Sequence, residues 1–231
     1  MFDDFKILNK INEGNFSEVF LAENEKKKYA IKKTKITYKD YIYTEINILK
    51  SINYDNIIKI ITYFEHEEFI YTVLEYFNGK SLTLETKLNT TNFILKLKNI
   101  LDYIHDRNII HGDLCLDNIL INDNEDIKLI DFGLSKDNKI SGQMIFSSPE
   151  LLKDIIRTKF SDIWAFGIIC FILLTKESPY EGKTEKSLYL RIINKKINYS
   201  KFNLNGNQIN FLKNILKKTP NKRKINVQYL L

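Results

Sequence analysis

Cysteine, proline and glycine are all scarce in this chain: two, three and eight residues respectively out of 231. Two cysteines, Cys115 and Cys170, cannot build a disulfide framework, which excludes the small stapled secreted class and points to a reducing compartment. Cys170 falls in an apolar helical run, where a buried free thiol is expected. No secretory leader is expected. The start, Met1-Phe2-Asp3-Asp4-Phe5-Lys6, is acidic where a signal peptide is basic, and no apolar h-region follows. The longest apolar run, Ile163 to Leu174, is too short to span a bilayer, so no membrane span and a soluble, cytoplasmic protein are expected. No Pro/Gly/Ser-rich linker, low-complexity tract or internal repeat divides the chain.

Hydrophobic residues make up 44% of the sequence, ample for a sizeable core. The 35 basic against 29 acidic residues give a net charge of +6, with the lysines spread along the chain. That distribution favours a solvated surface over a membrane or nucleic-acid stripe. Lys217, Lys218, Lys222, Arg223 and Lys224 are not accompanied by a reader motif or an aromatic platform, so no specific nucleic acid is expected.

Several short patterns carry chemistry. Two extended runs between Phe5 and Leu21 flank Ile11-Asn12-Glu13-Gly14-Asn15-Phe16-Ser17-Glu18-Val19, in which Asn12 can take a left-handed conformation and Ser17 is small. Tyr29-Ala30-Ile31-Lys32 reads as the next strand, with Ala30 and Lys32 on one face. Between Lys39 and Ile52 the spacing of Tyr43, Ile46 and Leu49 predicts a helix that carries Glu45 and Leu49 on one side. Strands are predicted over Ile57 to Phe64 and Phe69 to Tyr76, and a helix from about Asn92 to Arg107 with His105 as a structural residue near its end. His111-Gly112-Asp113-Leu114-Cys115-Leu116-Asp117-Asn118 sets an acid and an amide in a loop ahead of the apolar Ile119-Leu120-Ile121, and Asp131-Phe132-Gly133 follows a hairpin later. One of that pair can accept a proton while the other ligates a metal. Ser148-Pro149-Glu150, Asp162-Ile163-Trp164-Ala165-Phe166-Gly167 and a late Arg223 complete the series.

In this order and spacing the patterns resemble the protein kinase family across about Phe5 to Arg223. The resemblance implies an α+β, bilobal fold within a single domain over 1–231: a five-stranded antiparallel N-lobe with one helix to about residue 77, then a mainly helical C-lobe. It implies ATP and Mg²⁺ as cofactors and a protein substrate, in a monomer. Asp113 would accept or orient the substrate hydroxyl proton, with Lys32 paired to Glu45 and with Asn118 and Asp131 holding the metal. ATP would meet Ile11, Gly14, Val19, Ala30, Lys32, Leu74, Glu75, Phe77 and Leu120. Phe16 would sit at the lid's tip, Leu74 would guard the back pocket, and Glu75 to Phe77 would form the hinge.

The chain departs from the family's pattern in four places. Only the middle glycine of G-x-G-x-x-G remains, as Gly14; Gly112 replaces an arginine that reads activation-loop phosphate; Cys115 replaces a lysine that contacts the transferred phosphate; and Gln143 replaces a threonine. Gly112 and the short segment from Asp131 to Glu150 imply independence from activation-loop phosphorylation. Serine or threonine is the favoured acceptor. The alternative is a pseudokinase used as a nucleotide-binding or scaffolding module. A small-molecule kinase related to choline and aminoglycoside kinases shares His-Gly-Asp-Leu but lacks Ser-Pro-Glu and D-x-W-x-x-G. Ser135, Ser141, Ser147 and Ser148 read as solvated or structural serines.

Overall fold

Glu25 and Lys26 have positive φ values of 47° and 65°, the mirror-image turn whose twist matches that of paired strands. They fold β2 (Ser17–Asn24) onto β3 (Lys27–Lys35) in unbroken antiparallel register from Ser17↔Thr34 to Asn24↔Lys27. With β1 (Lys6–Glu13), β4 (Ile60–His66) and β5 (Phe69–Glu75) they form a five-stranded antiparallel sheet in the order β1-β2-β3-β5-β4. This computed structural model describes residues 4–14, 17–132, 144–154 and 157–230. One face of the sheet closes over Ala22, Ile31, Tyr71 and Val73. Helix α1 (Lys39–Ser51) buries Ile42 and Ile46 against Ile70.

The second lobe is mainly helical. A small sheet of β6 (Lys80–Ser81), β7 (Ile119–Ile121) and β8 (Ile127–Leu129) lies beside α2 (Thr90–His105), α3 (Pro149–Asp154), α4 (Lys159–Thr175), α5 (Glu185–Asn194) and α6 (Gly206–Ile215). Helix α4 is its central post: Trp164, Phe166, Ile168, Ile169, Cys170 and Phe171 are all fully buried. A helix apolar on every side can only be stable inside a core. Thr158 starts it with a reciprocal capping box to Ser161. Among the described residues no helix is long and apolar enough to cross a membrane.

Local hydrogen bonding moves some predicted boundaries. The strand expected from Ile57 begins only at Ile60. The preceding residues pair with β8 instead, through Leu129 N–H to Asn56 O at 2.8 Å and Ile58 N–H to Leu129 O at 3.0 Å. Helix α2 begins earlier than the expected Asn92 because the Asn89 side chain accepts from Asn92 N–H and caps it. Asn12 is not left-handed. It lies in β1 opposite Val19, and its side-chain oxygen accepts from Glu13 N–H at 2.8 Å.

Candidate active site

Strand register assembles one wall of the cleft. Across an antiparallel pair, residues directly opposite share a face. Val19 faces Lys32, and Ala30 faces both Leu21 and Leu74, so Val19, Ala30, Lys32 and Leu74 lie on one side of the sheet. Asn12, opposite Val19, extends that face to β1, whose Ile11 is exposed. Gly14 N–H donates to Ser17 O at 2.8 Å and closes the base of the turn; the tip, with Phe16, lies outside the described residues. Leu120 lies in β7, half-buried.

Lys32 joins the two lobes. Its ammonium donates to Glu45 Oε2 at 2.8 Å, to Glu45 Oε1 at 3.1 Å and to Asp131 Oδ1 at 3.2 Å. Glu45 arrives from the buried face of α1, one turn before Leu49, and also accepts from Phe132 N–H. Burial works against the charge on Lys32, but Asp131 and Glu45 outweigh it and hold the ammonium above its ordinary pKa. Burial pushes the Glu45 carboxyl above its usual range, with Lys32 pulling it back and Asp131 pushing it further. Asp131 has φ 66°, a left-handed backbone uncommon outside glycine. Phe132 follows, fully buried, its ring 4.8 Å from that of His111.

The loop carrying Asp113 is held by its own imidazole and by α4. His111 Nε2–H donates to Ile130 O at 3.0 Å, which leaves Nδ1 to accept from Asp113 N–H at 3.3 Å. Asp162, in the first turn of α4, accepts from His111 N–H, from Gly112 N–H and from His105 Nε2–H, at 2.9, 2.9 and 2.8 Å. Asn118 Nδ2 donates to Asp113 O at 2.8 Å and to Asp113 Oδ2 at 3.2 Å. Those bonds use the nitrogen and leave the amide oxygen to serve a cation. Burial pushes the Asp113 carboxyl above the usual carboxylate range and Asp131 adds to it, while His111, Arg157 and Asn118 hold it back. Cys115 is buried and its thiol is pushed up to about 12 by burial, with the Asp113 charge adding to the rise.

Glu75 turns its carboxylate away from the cleft wall: Oε1 accepts from Lys59 N–H at 2.9 Å and from Lys128 Nζ at 2.5 Å. Any adenine contact at Glu75 is therefore left to its backbone. Phe77, the other hinge position, packs partly buried against the core. Beyond the site, Arg223 grips Glu150 with both guanidinium arms, at 2.6 and 2.7 Å. Ser147 and Ser148 are buried.

The expected cluster of Lys32, Glu45, Asp113, Asn118 and Asp131 is brought together. Three contacts were not foreseen: the Glu75–Lys128 pair, the His105–Asp162 bond, and a bond from Arg157 Nη1 to Gly112 O at 2.5 Å. Each joins residues far apart in sequence, and no short pattern announces them. Gly133, Ser135, Ser141, Gly142 and Gln143 lie outside the described residues.

A family model described as the protein kinase domain matches residues 5–230. The Aurora kinase of Saccharomyces cerevisiae is 33% identical over 213 residues, covering 82% of this chain and 58% of that protein. Aurora/IPL1-related protein kinase 2 of Caenorhabditis elegans is 29% identical over 212 residues, covering 82% of this chain and 69% of its own length. Ribosomal protein S6 kinase alpha-3 of Homo sapiens is 28% identical over 244 residues, which is 95% of this chain and 33% of that protein. The chain thus spans little more than half of the yeast protein and about a third of the human one.

Proposed function

The chain belongs to the protein kinase family, and on that premise we propose that it transfers the γ-phosphate of ATP to a protein hydroxyl, serine or threonine being the acceptor. The observation that carries the reading is the meeting of Lys32 with Glu45 and Asp131, beside the Asp113–Asn118 pair. Phosphoryl transfer asks little covalent chemistry of a protein and depends on positioning and charge.

In this reading ATP lies along the face of Val19, Ala30 and Leu74, between Ile11 and Gly14 above and Leu120 below, with the backbone of Glu75 to Phe77 at its adenine end. Lys32, kept charged by two acids, orients the phosphates. Asp113 accepts the hydrogen bond of the incoming hydroxyl and, at transfer, its proton. Asn118 steadies Asp113 through its nitrogen, which fits a metal ligand whose oxygen faces the other way. Asp131 and Asn118 are one carboxylate and one amide oxygen, the sparse set that Mg²⁺ takes when phosphates complete its shell. When bound, Mg²⁺ neutralises charge on the phosphates. The absence of a cationic side chain at Gly112 supports activity without activation-loop phosphorylation.

The test is Mg²⁺ and labelled ATP with generic protein substrates, before and after phosphatase treatment, beside Asp113→Asn and Asp131→Asn. Transfer to serine or threonine should fall at least about a hundredfold in both variants and survive phosphatase. ATP binding without transfer would replace this reading with a pseudokinase, which the buried Cys115 in place of a phosphate-contacting lysine favours.

A further inference from the structure

Gly112 is the weak link of the catalytic loop. It has φ 83° and no side chain to restrain it, and glycine loses more backbone freedom on folding than any other residue. A flip of the peptide that joins it to Asp113 would carry the Asp113 carboxylate with it. Both sides of Gly112 are nonetheless held, and both holds come from the start of α4. Asp162 Oδ1 takes its N–H at 2.9 Å, and Arg157, just ahead of the Thr158 cap, donates through Nη1 to its carbonyl oxygen at 2.5 Å. The same peptide's N–H, on Asp113, goes to His111 Nδ1.

We infer that Arg157 is a positioning residue for phosphoryl transfer: its guanidinium clamps the Gly112 carbonyl and so fixes the peptide that carries Asp113. The inference rests on the kinase reading given above. A charge-assisted hydrogen bond is roughly twice as strong as a neutral one, and its donor directly precedes the N-cap of α4, so it opposes the flip from a segment anchored at that helix start. Arg157 brings a cationic side chain to this loop, where neither Gly112 nor Cys115 supplies one.

Arg157→Met keeps the length and removes the donors; Arg157→Lys keeps a donor and the charge. Steady-state kinetics and amide hydrogen exchange on both separate the possibilities. In Arg157→Met, kcat should fall about tenfold or more with KM for ATP within about twofold. Exchange at Gly112 and Asp113 should quicken while α2 and the body of α4 stay protected, and Arg157→Lys should recover part of both. Unchanged exchange at those amides, or faster exchange with unaltered kcat, would overturn the inference. A wild-type protein that transfers no phosphate would overturn the kinase reading instead, and the exchange measurement, which needs no turnover, would still decide on the clamp. If Arg157→Met does not fold, Arg157→Gln takes its place in the comparison.

Discussion

Lys32 holds two acids, and its removal separates their fates. The Glu45 side chain is 4% exposed and that of Asp131 43%, so Asp131 can turn to water while Glu45 is left as an uncompensated buried charge. Lys32→Met should therefore destabilise the fold by about 3 kcal/mol at neutral pH, read from urea denaturation. The sign of its pH dependence follows from burial, which already raises Glu45. With the folded-state pKa above the unfolded one, the folded state binds more protons, so stability is full below the unfolded value and is lost as pH rises through the folded one. The deficit of Lys32→Met should shrink on acidification. A deficit independent of pH would mean that Glu45 finds another cation. This pair was legible through the resemblance to the kinase family, which joins a strand lysine to a helix glutamate; strand alternation and helix period placed Lys32 and Glu45 on their elements without pairing them. Arg157 was not legible, since it lies in an irregular segment and bonds to a backbone atom.

Among the elements, α4 is where fold and site meet. Its run of apolar residues is buried on every side, and Asp162 at its start bonds the loop backbone at His111 and Gly112. The junction at its other side is the Glu150–Arg223 pair, which also ties down the chain through Arg223 to Phe160 O at 2.7 Å and to Lys217 O at 2.8 Å. Arg223 has a side chain with 0% exposure. Arg223→Leu should cost about 3 to 5 kcal/mol by leaving Glu150 unpaired. Arg223→Lys should recover little of it, because an ammonium lacks the planar fork that holds Glu150 while also reaching the carbonyls of Phe160 and Lys217. Denaturant midpoints of the two variants check this, and near-equal midpoints for wild type and Arg223→Lys would contradict it. What the pattern could not convey at this scale is how edges are satisfied: Ile57 looked like a strand start but bonds to β8, a partner remote in the chain.

At the scale of the whole molecule, polar contacts join the lobes at two levels: Lys32 to Asp131 in the cleft, and behind it Glu75 to Lys128, Tyr103 to Asn53 and the backbone of Asn56 and Ile58 to Leu129. A nucleotide that bridges the same gap should therefore act as a brace. A non-hydrolysable ATP analogue with Mg²⁺ at about a hundred times its Kd should stabilise the protein by about 2.7 kcal/mol, read as a rise in Tm. The rise should be much smaller for Asp131→Asn or with chelator. An equal rise without metal would detach Asp131 from nucleotide binding. The bilobal arrangement was readable from motif order, because each motif belongs to a fixed element; the depth of the cleft was not, since it depends on packing between those elements.

The chain's two thiols bear on how such a protein can be reached from outside. Cys115 stands one residue beyond the neighbour of Asp113, yet it is enclosed and protonated, and Cys170 is sealed within α4. A thiol-directed electrophile aimed at the cleft would find no exposed thiolate to capture, and peroxide would have none to oxidise. Covalent inhibition through cysteine is closed to this fold, and the protein should pass through an oxidative burst with both thiols intact.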